Sequence, residues 1–121
     1  MTRITPSSFY EGLPCSVVSI GCAMEKLQGK FSYDKIKTFS ESLTDGYATL
    51  KSTGEQIRRF LPVRKYTYYP RDQRISLKDW WCGKTAIVCI LGHYVFTHGD
   101  CYYSFFDNDN DKVVAVWEIG G

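Results

Sequence analysis

The 121-residue chain is expected to fold as an α+β domain, with N-terminal helices packed on a C-terminal antiparallel sheet of four to five strands. Three observations predict it. Up to about residue 61 apolar residues recur at helical spacing; beyond residue 62 they give way to β-branched and aromatic runs; and no linker, internal repeat or low-complexity tract divides the two halves. A single domain over residues 1–121 follows, long enough to bury a core without staples.

The elements can be justified in order. Pro14 suits a first helical position, since its missing N–H is one that no helix satisfies. Val17, Ile20, Met24 and Leu27 follow at helical spacing, so a helix is expected over about 14–28, ending at Gly29. Ser32 is placed to cap a second helix that turns Tyr33, Ile36, Phe39 and Leu43 inward and ends near Gly46. The tetrad S-T-G-E from Ser52 reads as a capping box for a third helix, which carries Ile57, Phe60 and Leu61 and is stopped by Pro62. VRKYTYY (63–69) is rich in strand formers and ends at Pro70. Ser76 can cap a short helical turn holding Leu77, Trp80 and Trp81. TAIVCIL (85–91), HYVFT (93–97), CYYSFF (101–106) and KVVAVWEI (112–119) then form an antiparallel meander, with turns at His98-Gly99-Asp100 and from Asp107 to Asp111.

Composition excludes several function classes. Lys and Arg exceed Asp and Glu by only two (15 against 13), so nothing demands a nucleic-acid partner. Arg58, Arg59, Arg64, Lys65, Arg71 and Arg74 read as a solvated basic face. The five cysteines (15, 22, 82, 89 and 101) are odd in number and contain no CxxC pair, which argues against a disulfide framework or zinc knuckle and for a reducing cytoplasm. MTRITPSSFYEG lacks the apolar region of a secretory signal, and no apolar run approaches a membrane span. Neither a cofactor nor a metal is expected. Asp107, Asp109, Asp111 and Glu118 fall at positions 1, 3, 5 and 12 of a calcium loop, but Lys112 occupies the position that requires glycine, so a solvated turn explains DNDND better.

The chemistry-bearing pair is Cys15 and His93. A helix N-terminus favours the anion of a thiol placed there, and a histidine opening a strand right after Gly92 can meet it from across the fold. Cys22 sits mid-helix, and Cys89 and Cys101 lie in strands as buried hydrophobes. With a two-residue turn at His98-Gly99 the register sets Ser104 opposite His93; a one-residue change sets Phe106 there, with Asp107 just beyond. The N–H groups at the helix mouth around Ser16, together with the Tyr10 hydroxyl, are placed to hold an oxyanion. Tyr66, Tyr68, Tyr69, Trp80 and Trp81 are candidates to line a cleft.

In LPCSVVSIGCAM, GHYVFTHGDCYYSFFD and KVVAVWEI the chain resembles small papain-like (NlpC/P60- and C39-peptidase-like) cysteine-protease-fold proteins, common among bacteriophage proteins. The resemblance spans most of the sequence. It implies a papain-like fold in which Cys15 is the nucleophile, His93 the base and Asp107 or Ser104 the group that orients the ring, acting as a cysteine hydrolase on a peptide, amide or thioester. Two departures stand out: Ser104 occupies the place of an expected aspartate, and Phe9, followed by Tyr10 and Glu11, that of an upstream glutamine. They motivate an alternative, a non-catalytic binding protein on the same fold that sequesters or inhibits a host protein in the host cytoplasm.

Overall fold

The computed structural model describes residues 1–43 and 49–120; Gly46, expected near the end of the second helix, lies outside the described residues. In chain order the elements are β1 (Thr2–Ile4), α1 (Cys15–Gln28), α2 (Tyr33–Glu41), α3 (Leu50–Phe60), β2 (Val63–Tyr68), α4 (Leu77–Trp80), β3 (Ala86–Ile90), β4 (His93–His98), β5 (Cys101–Tyr103) and β6 (Val113–Ile119). The chain is α+β; the described residues form four α-helices and one six-stranded sheet in the order β1-β5-β4-β3-β6-β2.

The sheet differs from expectation in two ways. Strand β1, only three residues long, precedes the helices and pairs parallel with β5. It carries no alternating apolar pattern because Thr2 and Arg3 are exposed at the sheet edge. The sheet is therefore mixed, and has one strand more than the four to five expected. Strand β5 is also shorter than CYYSFF suggests: it stops at Tyr103, and the chain bends at Phe105 and Phe106.

Helix α1 begins and ends where the sequence indicates. Pro14 is its N-cap, and Gly29 closes it in the left-handed region at φ 72°, donating to the Glu25 carbonyl. Helix α3 starts earlier than the S-T-G-E reading placed it. Thr49 is the N-cap, and its side chain accepts from the Ser52 N–H at 3.0 Å while the Ser52 hydroxyl accepts from the Thr49 N–H at 3.2 Å. Ser52 thus closes the capping box as its third helical residue instead of opening it. Ser32 precedes α2 without a side-chain cap.

Two apolar cores sandwich the sheet. On one face α1, α2 and α3 bury Val17, Val18, Ile20, Ala23, Ile36 and Ile57 against Ile87, Phe96, Ala115 and Trp117. On the other, α4 and the segment leading to it close Leu77, Tyr69 and Trp80 over Ala86, Val88, Ile90, Val95 and Val116. Covering both faces explains why β3 is buried at every residue and reads as an unbroken apolar run. Strands β3 and β4 are joined by the tight Leu91-Gly92 turn with Gly92 at φ 75°.

Helix α1 approaches the N-terminal segment closely at Gly21, where an added Cβ would lie 2.6 Å from Tyr10 Cε1. Tyr10 is buried, edged by Phe9 and packed on Phe31, so its ring has nowhere to retreat. Gly21→Ala is therefore expected to destabilise the fold by ~1–3 kcal/mol despite the better helix propensity of alanine, read as a lower urea midpoint.

Candidate active site

Cys15 is the first residue of α1 and His93 the first of β4, directly after the β3–β4 turn. Both line an open cleft of about 460 Å³ at the end of the sheet, walled also by Pro14, Ser16, Leu50, Arg74, Cys89, Leu91 and Tyr94. Both also line an adjoining cavity of about 150 Å³ bounded by Leu13, Val18, Tyr103 and Phe106. Cys15, His93 and Tyr94 are common to the two, and so form the neck between them. Strand alternation turns Tyr94 and Phe96 toward α1 and Val95 into the second core, and His93 has the parity of Val95. No hydrogen bond joins Cys15 to His93 among the described residues.

A proline N-cap offers no side-chain acceptor, so the N-terminus of α1 has no side-chain capping hydrogen bond, as is also true of α2 and α4. The first N–H of this region with a backbone acceptor is that of Val18, which donates to the Pro14 carbonyl at 3.0 Å. Ser16, a buried residue among those lining the cleft, has a hydroxyl with no partner.

His93 is oriented by a chain of polar contacts whose proton directions can be worked out. The Asp111 carboxylate only accepts, so the Asn108 amide must turn its Nδ2 toward it, at 2.7 Å. Asn108 Oδ1 therefore faces the Ser104 hydroxyl, which donates to it at 2.6 Å. Having spent its single proton, Ser104 Oγ can only accept from the other two neighbours, the Phe106 N–H at 3.1 Å and His93 Nε2 at 3.1 Å. His93 consequently carries its proton on Nε2 and leaves the Nδ1 lone pair free. The Phe106 ring stands edge-on to the imidazole, with centroids 5.7 Å apart. Burial lowers the His93 pKa below the usual 6.5, and the Asp111 carboxylate opposes only part of that shift.

Ser104 thus meets His93, but not through the expected register. The turn of the β4–β5 hairpin is Gly99-Asp100, which pairs His98 with Cys101 and Phe96 with Tyr103. Continued, that register would oppose His93 to Phe106; because β5 ends at Tyr103 and the chain bends at Phe105-Phe106, the Ser104 hydroxyl reaches the imidazole as well. Asp107 does not reach the ring. Its carboxylate accepts from the Tyr102 hydroxyl at 3.3 Å and from the Asp109 N–H at 3.1 Å.

Tyr10 also lies elsewhere: its hydroxyl donates to Glu25 Oε1 at 2.5 Å, beside Cys22 and in a separate cavity. The remaining cysteines are chemically distinct. Burial pushes the Cys22 thiol up to about 12 and that of Cys89 up to about 11, so both stay protonated near neutrality. Cys82 is exposed. None of the five aromatic residues offered as a cleft lining borders the Cys15 cleft. Tyr66 packs on Trp117, Tyr68 lies under Arg74, the Trp80 indole donates to Tyr69 and the Trp81 indole to the Gly99 carbonyl. Glu118, assigned to a calcium position, is in β6 and pairs with Lys84 at 3.3 Å.

Sequence reasoning missed Asn108, Asp111, Tyr94 and Arg74. The first two were visible only as members of DNDND, and nothing local tells an amide that holds a serine from one that caps a turn. Tyr94 sits beneath the helix mouth, its hydroxyl bonded to Thr53 and near Cys89 and Cys15, with burial pushing its pKa up to about 12. Compared with known proteins, the chain matches no family model, no curated protein and no solved structure.

Long-range ¹H–¹⁵N spectra at pH 7.5 are expected to show His93 as the Nε2–H tautomer, and Asn108→Ala to erode that preference. Because the folded state binds the His93 proton more weakly than the unfolded chain, stability at neutral pH is expected to fall as pH drops through about 6.5, where the unfolded state takes up the proton. His93→Gln should flatten that decline in urea midpoints measured between pH 7.5 and 5.

Proposed function

We infer that the protein is a cysteine hydrolase of papain-like type, acting by acyl transfer on a peptide, amide or thioester. One observation carries the reading: a single cleft is lined by the helix-mouth Cys15, by Ser16, whose buried hydroxyl has no partner, and by a histidine whose Nδ1 lone pair is left free. Cys15 Sγ gives its proton to His93 Nδ1 and attacks the carbonyl carbon, and the carbonyl π electrons move to oxygen. That oxyanion is received by the first-turn N–H groups and by Ser16 Oγ. Collapse of the adduct expels the amine or thiolate, which takes the proton from Nδ1, and leaves an acyl thioester on Cys15. Water then attacks the thioester, again losing a proton to Nδ1, and the departing Cys15 sulfur recovers it.

A second reading, a binding protein on the same scaffold without chemistry, draws on one specific observation: His93 has the strand parity of Val95, and no hydrogen bond links it to Cys15. The two readings separate in one experiment. Under the hydrolase reading, p-nitrophenyl acetate acetylates Cys15 at least about tenfold faster than the more exposed Cys82, shown by intact-mass and peptide mapping, and His93→Ala removes most of that advantage. Equal labelling of the two thiols, or a rate indifferent to His93→Ala, would overturn the hydrolase and leave the binder.

A further inference from the structure

Arg74 is the one charged side chain among the described residues lining the Cys15 cleft, whose other walls are apolar or neutral. It is held in place. Its Nε donates to the Tyr69 carbonyl at 2.9 Å, one terminal nitrogen donates to the Tyr68 hydroxyl at 3.0 Å, and the guanidinium lies 5.7 Å above the Tyr68 ring. The other terminal nitrogen has no hydrogen bond, and no described carboxylate pairs with the group. A guanidinium fixed from behind by a carbonyl and a ring, with donors left over and no counter-ion, is prepared for a planar anion. The cleft also has an apolar mouth. Leu91 at the β3–β4 turn is 77% exposed and lines the same cleft, and Phe106 at the adjoining cavity is 65% exposed, so the mouth offers apolar surface well beyond what a polar ligand would need.

We propose that the cleft selects ligands that join a carboxylate to an apolar body, the carboxylate seated on Arg74 and the body against Leu91 and the cleft floor. This deepens the hydrolase reading by naming its substrate class, and rests on it for the statement that the cleft is a substrate site. A volume of about 460 Å³ suits a short acyl or peptidyl group. With His93 neutral, Arg74 is the one cationic side chain lining the cleft among the described residues.

The test uses protein that cannot turn over. Cys15→Ala protein is titrated with 4-phenylbutyrate and, separately, with 4-phenylbutyramide, following backbone amide shifts. The carboxylate is expected to bind at least about tenfold tighter than the amide, with shifts at Leu91, Gly92 and Ser16; one charge-assisted hydrogen-bond pair is worth at least that factor. Arg74→Gln should abolish the difference, and Arg74→Lys, which keeps the charge and loses the fork, should retain only part of it, so that a folding defect in the first variant still leaves a test. Equal affinity for acid and amide, shifts confined to residues outside the cleft, or inorganic phosphate binding as tightly as the carboxylate would overturn the proposal. Failure of Cys15 to acylate in the wild type would sink the hydrolase reading alone, because this binding measurement involves no chemistry.

Discussion

The seating of α1 on β4 is the contact on which the rest of the structure depends. Val17, Val18 and Ile20 of the helix and Tyr94 and Phe96 of the strand belong to one core. Because α1 begins at Cys15 and β4 at His93, burying their apolar residues against each other aligns the two N-terminal ends at one margin of the sheet. Nothing about the thiol or the imidazole is needed to bring this about. The site is a by-product of packing, and Gly21 is the residue that lets α1 lie close enough to Tyr10 for that packing to close.

The same margin holds one of the polar groups that the fold leaves unsatisfied. Many others are met: α3 carries a full capping box, the Ser19 and Ser40 hydroxyls bond back to carbonyls four residues earlier, and Thr97 Oγ1 donates to the Lys84 carbonyl, whereas Gln56 Oε1 and Asp109 Oδ1, like Ser16 Oγ, are buried without a partner. At the mouth of α1 the cap is a proline and the Ser16 hydroxyl is orphaned although buried. An unsatisfied buried hydroxyl costs about 1–3 kcal/mol, which a ligand oxygen placed there would recover. Under the proposed hydrolase reading that oxygen is the carbonyl oxygen of the substrate.

How much of this was legible in the sequence varied with the range of the interactions involved. The bounds of α1 were readable because Pro14 and Gly29 are local backbone statements that tertiary packing had no reason to override. The strands β3, β4 and β6 were readable from runs whose burial on both faces leaves little room for polar residues. Strand β1 was not, since a three-residue edge strand earns its hydrogen bonds from β5, roughly a hundred residues away, and needs no pattern of its own. The start of α3 was misplaced because Ser52 suits the third helical position as well as the cap; only Thr49 before it decides, and its reciprocal bonds with Ser52 are a matter of geometry. In the site, Cys15, Ser16 and His93 were singled out by position at element ends. Asn108 and Asp111 were not, because their part depends on where β5 stops.

That stop also explains why neutral groups stand between His93 and its nearest acid. Had β5 continued, His93 would face Phe106 across a regular ladder, with no polar group to fix its tautomer. The end of the strand before Ser104 instead threads a hydroxyl and an amide between imidazole and Asp111, and each passes on direction without passing on charge. A carboxylate in direct contact would raise the proton affinity of the ring more strongly. Through two neutral links the charge of Asp111 reaches His93 too weakly to offset burial, so the ring stays neutral while its Nε2–H is fixed in place. The arrangement favours a base that is oriented but uncharged, which is the state required of a group that must remove a proton before any bond to sulfur forms.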